Sequence, residues 1–439
     1  MGKKKELDAL DNQDLITGLV DPRSFSVSNK KNDLFRKKAN EKFISANPKG
    51  LIDIFGKKHK DFLSGVESLS LSGSPLINPS VHTTDQKEKV AGKTVIGKLK
   101  ISNTKICYWL DPVIQAKGVI LCDLISALRD HPGIINQFFT KTGINRNTIL
   151  SNLIIAQAKF GSFLYVPENI QLEGVFIIEI NIEPIPNSLL LMHLVTLFEK
   201  SSAGNLIIDI RSKNYGFSKS FLVIQNDVFL GEKSKLTFLE NQKFNNDSAL
   251  FISEQIWEGK NVILNNCILD QGSAVLDRFL AIETEAEGSE AKITALYNPK
   301  NNQRYFYDTQ QNHNTSFTIS DLLFKGVLGK DTYSIWKGNI FVARETFGAN
   351  GYQANNILLI DESAKAESIP GLEILSDDVR CSHGVTMGNI DKDQMFYLQC
   401  RGINKKDAEK LIVDGFLLSA VKRIVDKDFE KYIKASLDN

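Results

Sequence analysis

The sequence predicts a mainly β body between two helical ends. From about residue 161 to 388, short runs rich in Val, Ile, Leu and Phe follow one another, with Gly, Asn, Ser and Asp between them. Such runs are typical of strands joined by tight corners. Residues 389–439 instead have helical spacing and capping residues. We therefore predict a mainly helical domain over 1–160 with a flexible linker near 69–89, a β core over 161–388, and a C-terminal helical domain.

A weak internal repeat marks the β body. Small and polar residues precede three apolar runs that begin at Leu206, Leu236 and Ile293. These positions are 30 and 57 residues apart, close to one and two periods of about 28 to 30 residues. Such a repeat favours the stacked coils of a parallel β-helix, because a single coil cannot bury its own apolar face. A β-sandwich with coincidental spacing fits the pattern about equally well.

The first 160 residues mix helical and strand signals. Apolar residues within 34–43 have helical spacing, and helical patterning returns over 123–160. Short strands are predicted near 105–109 and 118–121. The proposed linker over 69–89 is rich in Ser, Pro, Thr and Lys.

Three helices are predicted in the C-terminal domain. Asp391 begins a capping box, and Asn404 is suited to cap the second helix. The apolar stripe of that second helix includes Leu411, Phe416 and Ile424. Such a stripe is typical of ordinary core and also of a surface that docks a partner protein, and the spacing alone leaves both interpretations open.

The composition indicates a folded protein without a general attraction to polyanions. Hydrophobic residues make up 42% and charged residues 24% of the chain, and the formal net charge is +1. We therefore expect no nucleic acid and no membrane as partner. The apolar run over 189–198 is too short for a membrane span, and the first ten residues carry no secretory signal. Five cysteines without a CxxC pair fit a reducing compartment, and we expect a cytoplasmic protein.

Motifs for nucleotide hydrolysis and metalloenzyme chemistry are incomplete. A P-loop requires GxxxxGK followed by Ser or Thr. The GKT at 92–94 has Lys87 in place of the first glycine, and the GK at 329–330 has Phe324 there. Without these glycines the backbone cannot cradle phosphates, so we expect no ATP site. The six histidines show no pairing at metal-ligand spacing, which gives a conventional hydrolase or metalloenzyme little support.

The segment DDVRCSHG is the most distinctive part of the chain. In a strand, Cys381 and His383 share one face with Val379, Val385 and Met387. A thiolate and an imidazole are good ligands for iron. The same pair also fits a small buried cysteine beside a hydrogen-bonded core histidine. Two ligands from one strand cannot hold a cluster, so a partner chain would have to supply the others.

Several segments in this part of the chain resemble the SufB/SufD family of iron–sulfur cluster assembly proteins. They are PGLEI at 370–374, DDVRCSHG at 377–384, GNID at 388–391, QMFYL at 394–398 and RGI at 401–403. Their order and spacing match without a gap, and the resemblance extends over roughly the last two thirds of the chain. The CSHG form resembles SufD members rather than SufB members.

Two residues depart from the usual SufD pattern. Arg380 stands where Lys is common, and Cys400 stands where Ser is common. The first change keeps the charge. The second adds a thiol for which the resemblance implies no role.

The resemblance implies a right-handed parallel β-helix with helical domains at both ends. It implies a non-catalytic scaffold subunit that forms a heterodimer with a SufB-like subunit and binds a SufC-like ATPase through its C-terminal helices. It also implies that a transient iron–sulfur cluster assembles at the shared interface, with His383 as the metal ligand and Cys381 as an adjacent candidate. Some family members are linked to reduced flavin, and this sequence shows no flavin site. An exposed β-helix edge would also permit a homodimer of the isolated chain.

Two other functions remain open at this point. A β-helix enzyme that acts on carbohydrates would need paired carboxylates in one groove. Asp377 and Asp378 are neighbours at a predicted corner and would point apart. The second alternative is a purely structural partner that stabilises a SufB-like chain without contributing a ligand.

Overall fold

The computed structural model describes residues 41–42, 45, 55–59, 63, 70–71, 76–79, 88–90, 92–141, 149–212, 219–424 and 426–438. The predicted helix over 34–43 lies almost entirely outside the described residues. Within them the protein is mainly β, and its strands stack as a parallel β-helix.

The strands alternate between two sheets. In chain order they are β1 (Ser70–Leu71), β2 (Leu76–Pro79), β3 (Lys89–Val90), β4 (Lys93–Ile101), β5 (Lys105–Leu110), β6 (Ile120–Asp123), β7 (Phe160–Val166), β8 (Gln171–Ile182), β9 (Ser188–Phe198), β10 (Ala203–Ser212), β11 (Phe221–Leu230), β12 (Lys235–Phe244), β13 (Ala249–Glu258), β14 (Ile263–Gly272), β15 (Val275–Thr284), β16 (Glu290–Tyr297), β17 (Arg304–His313), β18 (Ile319–Leu328), β19 (Tyr333–Val342), β20 (Ala349–Leu359), β21 (Lys365–Ile374) and β22 (Val379–Asn389).

The helices lie at the two ends of the described chain. They are α1 (Pro112–Gln115), α2 (Leu124–Asp130), α3 (Pro132–Lys141), α4 (Ile149–Gln157), α5 (Lys392–Cys400), α6 (Lys405–Val421) and α7 (Lys427–Asp438), with a 3-10 turn at Lys57–His59. Asp391 and Asn404 cap α5 and α6 as predicted: the Asp391 side chain accepts from the amide of Asp393, and that of Asn404 from the amide of Asp407.

Each coil contributes one strand to each sheet. Sheet A has the order β6, β7, β9, β11, β13, β15, β17, β19 and β21, with β1 beside β9. Sheet B has the order β2, β5, β4, β8, β10, β12, β14, β16, β18, β20 and β22, with β3 beside β4. All neighbours from β7 onward are parallel. This topology confirms the β-helix and removes the β-sandwich alternative.

The predicted repeat is present, with a shift of two residues at its first step. Leu206 lies opposite Phe238, Phe238 opposite Asn266 and Asn266 opposite Ile293. The coil steps between these residues are therefore 32, 28 and 27 residues. Leu236, the predicted equivalent of Leu206, instead lies opposite Gly204. Because the shift is an even number of residues, it leaves the inward and outward faces unchanged.

Corners before the sheet B strands are stacked on one another. Asn169, Ser201 and Lys233 have φ angles of 62°, 53° and 60°, and each lies two residues before its strand. The amide of Ser201 donates to the carbonyl oxygen of Glu232, and the same contact recurs one coil earlier between Asn169 and Lys200. Left-handed residues therefore turn the chain at the same place in successive coils.

The interior of the solenoid and both outer faces of its sheets are apolar. Large side chains such as Phe176, Phe238 and Phe324 fill the interior. On the outer face of sheet A, α2, α3 and α4 pack through residues that include Leu128. On the outer face of sheet B, α6 and α7 pack through Leu417, Ala420, Val421, Phe429 and Ile433. The helices therefore cover surfaces that would otherwise expose apolar strands to water.

The N-terminal third contains more β structure than the predicted mainly helical domain. The strands predicted at 105–109 and 118–121 are present as β5 and β6, and the helices predicted over 123–160 are α2 to α4. However, β4 pairs with β8 and thereby extends sheet B before residue 161. The described residues of the predicted linker over 69–89 include β1 and β2.

A buried charged network crosses three coils. Arg278 on β15 donates from Nη1 to Glu240 Oε2 at 2.9 Å and from Nη2 to Asp270 Oδ1 at 2.9 Å. Glu254 accepts from the side-chain amides of Asn226 and Asn266, each at 3.1 Å. Burial, together with the nearby Glu240 carboxylate, holds the pKa of Glu254 well above its usual range. The protonated form of Glu254 is therefore favoured, which limits the negative charge that Arg278 must balance.

Replacing Arg278 with Leu is expected to destabilise the fold strongly. The change leaves Glu240 and Asp270 buried without their cation, and loss of one partner of such a buried ion pair costs about 3–5 kcal/mol in the free energy of unfolding. The measurement is denaturant unfolding followed by circular dichroism. The control is Arg304→Leu, at an exposed position on β17, where a change of about 0.5 kcal/mol or less is expected. Equal effects of the two variants would contradict the role of Arg278.

Glu258 is expected to make stability depend on pH. Its burial raises the pKa from 4.5 to about 8, against a smaller opposing effect of Ser289. The folded state therefore retains a proton that the unfolded chain releases. This contribution to the free energy of unfolding is complete below the pKa of Glu258 in the unfolded chain. It is lost as the pH rises through the pKa of Glu258 in the folded protein, with a slope of up to about 1.4 kcal/mol per pH unit.

Unfolding of Glu258→Gln across this pH range provides the test. The variant is expected to lose this slope, because glutamine does not titrate. Glu290→Gln, at an exposed position at the start of β16, should keep the wild-type slope. The same pH dependence in Glu258→Gln and the wild type would contradict the assignment.

Candidate functional site

Cys381 and His383 lie on β22, the last strand of sheet B. Among the described strands, β22 is hydrogen-bonded only to β20. Cys381 is half-buried and His383 is exposed. The CSHG segment is therefore at an open edge of the β-helix.

The register shows which face of β22 carries these side chains. Cys381 lies opposite Gly351, and His383 lies opposite Gln353. Gly351 and Gln353 are buried in the interior row of β20. Since side chains alternate along a strand and neighbouring strands of a sheet share the pattern, Cys381 and His383 continue the interior row. No further coil among the described residues covers them.

Cys381 is anchored on the apolar end of the solenoid. It packs with Ile340, Val342 and Ala349. Burial raises the pKa of its thiol, and a hydrogen bond with the Gly351 backbone opposes this rise. The thiol is therefore mainly protonated at neutral pH, and ligation of a metal requires loss of that proton.

A buried histidine lies two coils below Cys381, beneath Gly351. A Cβ added to Gly351 would stand 3.2 Å from Nε2 of His313 and 2.9 Å from Cγ2 of Ile340. His313 shares hydrogen bonds with the hydroxyls of Thr318 at 2.6 Å and Ser320 at 2.8 Å. Burial lowers its pKa to about 4, so the ring is neutral at physiological pH. Local spacing could not predict that His313 lies beneath Gly351 in the stack that carries Cys381, because 68 residues separate His313 from Cys381.

Exposed apolar side chains surround the open coil. Val385 and Met387 on β22 are 39% and 44% exposed, and Ile369 on β21 is 49% exposed. Leu372, Ile374 and Leu375 are also exposed. Apolar residues concentrated at an unpaired sheet edge indicate a surface for another protein chain.

The described residues contain no group of three or more His, Cys, Asp or Glu side chains placed to hold a metal ion. Cys381 and His383 are therefore two donors, short of a complete ligand set. Of the other cysteines, Cys122 and Cys267 are buried, and Cys400 is exposed on α5. The structure does not bring Cys400 into the packed cluster that contains Cys381.

The three residues of the predicted docking stripe differ in their surroundings. Leu411 is 52% exposed. Phe416 and Ile424 are partly buried against sheet B, and the ammonium group of Lys325 lies 4.1 Å from the centre of the Phe416 ring. The structure adds exposed aromatic residues on α5, Phe396 at 67% and Tyr397 at 58%, which the stripe analysis did not include.

Residues 183–416 of this chain match the family described as SUF system FeS cluster assembly, SufBD core domain. This region is more than half of the chain and contains the β-helix from β9 through β22. The chain belongs to the SufB/SufD family. The fold and the CSHG segment agree with the membership that the sequence predicted.

Relatives of this SufB/SufD protein include two that are named iron–sulfur cluster assembly protein SufD. The one from Escherichia coli is 34% identical over 166 residues, which cover 38% of this chain and 39% of that protein. The one from Bacillus subtilis is 24% identical over 341 residues, or 75% of each chain. A SufBD family protein from Synechocystis is 25% identical over 62% of this chain and 61% of its own length. The predicted SufD-like character is confirmed by these matches.

Within the described part of this family member, no helix combines the length and apolar character needed to cross a membrane.

Proposed function

We propose that this protein is a non-catalytic scaffold subunit that forms part of a nascent-cluster site. The observation that carries the proposal is the open terminal coil, where two potential iron ligands continue an interior row that the described chain leaves uncovered. An iron–sulfur cluster at this place is cargo, held during assembly and then passed on. The names of the relatives as cluster assembly proteins support this reading.

The proposed partner at the open coil is a SufB-like subunit. The β21 and β22 strands present unpaired backbone groups, and strands of another chain can pair with them. The exposed Val385, Met387 and Ile369 would then become buried, which favours association. The same edge permits a homodimer when the chain is isolated. A heterodimer fits the incomplete ligand set better, because the second chain can contribute different donors.

In the proposed site His383 is the ligand from this chain. An imidazole ring binds metal through the lone pair of a nitrogen that carries no proton. Cys381 is the adjacent candidate, and its half-buried thiol must be deprotonated before it binds iron. The remaining ligands come from the partner chain.

We further propose that the C-terminal helices dock a SufC-like ATPase, since this sequence has no P-loop of its own. Helix α6 is tied to sheet B by Lys325, which donates to the carbonyl oxygen of Phe416 at 3.0 Å. Arg423 on the segment after α6 pairs with Asp321 at 2.8 Å. Both Lys325 and Asp321 lie on β18, directly beside β20. Movement of the helices by the ATPase would therefore reach the strand that supports β22 and shift the population of site geometries.

The free cysteines, with no CxxC pair, support a cytoplasmic place of action for this assembly.

Replacing His383 with Ala tests the cluster site. In cells that depend on this system, maturation of an iron–sulfur enzyme is expected to fall by about tenfold or more, the usual effect of losing a metal-site residue. His383 is exposed, so its replacement should leave the fold intact. The control is His131→Ala, between α2 and α3. Iron spectra of anaerobically purified complexes give a second readout. Normal maturation and normal spectra would support a purely structural partner and overturn the ligand role.

Replacing Leu411 with Asp tests the docking surface. Because Leu411 is half-exposed, the change should leave the fold intact while placing a charge in an apolar contact. Binding of the purified SufC-like ATPase is expected to weaken by about tenfold or more. Val113→Asp, on the exposed side of α1 at 67% exposure, should bind like the wild type. Equal affinity of all three proteins would remove Leu411 from the interface.

A further inference from the structure

Exposed apolar side chains are concentrated at one corner of the last three coils. This corner joins each sheet A strand to the next sheet B strand. In the last three coils, Phe317 is 60% exposed, Phe347 is 51% exposed and Leu375 is 44% exposed. We call these three residues the apolar corner. The same corner of the five preceding coils, all of which the structure describes, has no exposed large apolar side chain. Those corners are 167–170, 199–202, 231–234, 259–262 and 285–289.

Phe317 occupies a backbone position that disfavours a bulky side chain. Its φ angle is 58°, and its amide donates to the carbonyl oxygen of Phe347 at 2.7 Å. Asn169, Ser201 and Lys233 hold the equivalent left-handed position in earlier coils. A bulky residue with a positive φ is uncommon, and strain of this kind is concentrated at functional sites. Since the ring is also mostly exposed, packing within the fold does not explain an aromatic residue here.

Specific contacts join the apolar corner to the open coil. The amide of Phe347 donates to Ser316 Oγ at 3.0 Å. The amide of Gly348 donates to the carbonyl oxygen of Asp378, in the open coil, at 2.7 Å. A Cβ on Gly348 would stand 2.7 Å from Cδ1 of Phe317, so the Phe317 ring lies against the next coil. The two rings are therefore held in place beside the open coil before any partner binds.

The charged side chains around the apolar corner have both signs. Arg344 and Arg380 are exposed, and so are Glu345, Asp377 and Asp378. Because cations and anions are interspersed, no strong field of one sign selects a partner here. The surface that fits this corner is therefore apolar.

We propose that the apolar corner is a second contact surface for the SufB-like subunit that pairs with the open coil. Leu375 belongs to the open coil, so a chain that pairs with that coil reaches the same corner. Main-chain hydrogen bonds at an open edge accept many strands, whereas side-chain contacts give specificity. Phe317 and Phe347 supply such contacts. The inference rests on the proposed heterodimer and adds the residues that select this partner.

The double variant Phe317→Asn/Phe347→Lys tests the proposal. It gives the corner the residue types that earlier coils carry at these places, as in Asn169 and Lys260. Fluorescence titration of a labelled SufB-like subunit with the full-length protein measures the affinity, which is expected to weaken by about tenfold or more. Because asparagine tolerates a positive φ, thermal unfolding should occur at the same or a higher temperature than in the wild type.

The matched control is Val113→Asn/Ile185→Lys. It replaces two apolar side chains that are 67% and 48% exposed and lie near the other end of the β-helix, before β6 and β9. This control should change the affinity by less than about twofold, because the substitutions lie away from the proposed contact.

Several results would overturn the inference. If the wild type forms the heterodimer and the corner variant binds equally well, the inference fails and the proposed partner stands. Equal weakening by the control, or a loss confined to the homodimer of the isolated chain, would also overturn it. A lower unfolding temperature together with weaker binding would assign the two rings to folding instead. If the wild type forms no heterodimer, the proposed partner and this inference both fail.

Discussion

Backbone hydrogen bonds between successive coils are the constraint on which the rest of this protein depends. In sheet A the register runs without a shift from Phe221 to Ile374. A coil completes its hydrogen bonds and buries its apolar row only through the coils on either side. The final coil, β21 with β22, therefore has one open edge. The rule that builds the body also creates the surface on which Cys381 and His383 lie.

The buried charges in the middle of the solenoid make this register specific. Arg278, Glu240 and Asp270 come from β15, β12 and β14, so one ion-paired group joins three coils. A slip of one residue in any of these strands would turn its charged side chain to the outer face. In a strand with only apolar residues, such a slip would cost less free energy, because much of the outer face of sheet B is also apolar where α6 and α7 pack on it. The charged group therefore helps to fix the strand register, and the continuous pairing of successive coils carries that register to the terminal coil.

Sequence patterns predicted a β body over 161–388, although the alternation of apolar and polar residues is lost in several of its strands. Every residue of β9 is buried, because α4 covers its outer face, and its continuous apolar run has no period of two. In β13 and β15, Glu254 and Arg278 point inward and break the apolar row. The CSHG motif located Cys381 and His383 correctly on one face, but Gly351 and His313 reach that place only through stacking. Contacts between coils are long-range, so local spacing cannot reveal them.

In the proposed complex, burial of the open coil would affect the two candidate donors differently. Pairing with a partner would cover Cys381 more completely, and loss of water favours the neutral thiol over the thiolate. Iron must then supply the free energy that removes the proton. An imidazole such as that of His383 binds metal through a ring nitrogen that carries no proton. His383 also lies farther out than Cys381, which is held by Ile340 and Val342. In the proposed complex, His383 therefore contacts the cluster while Cys381 positions the strand beneath it.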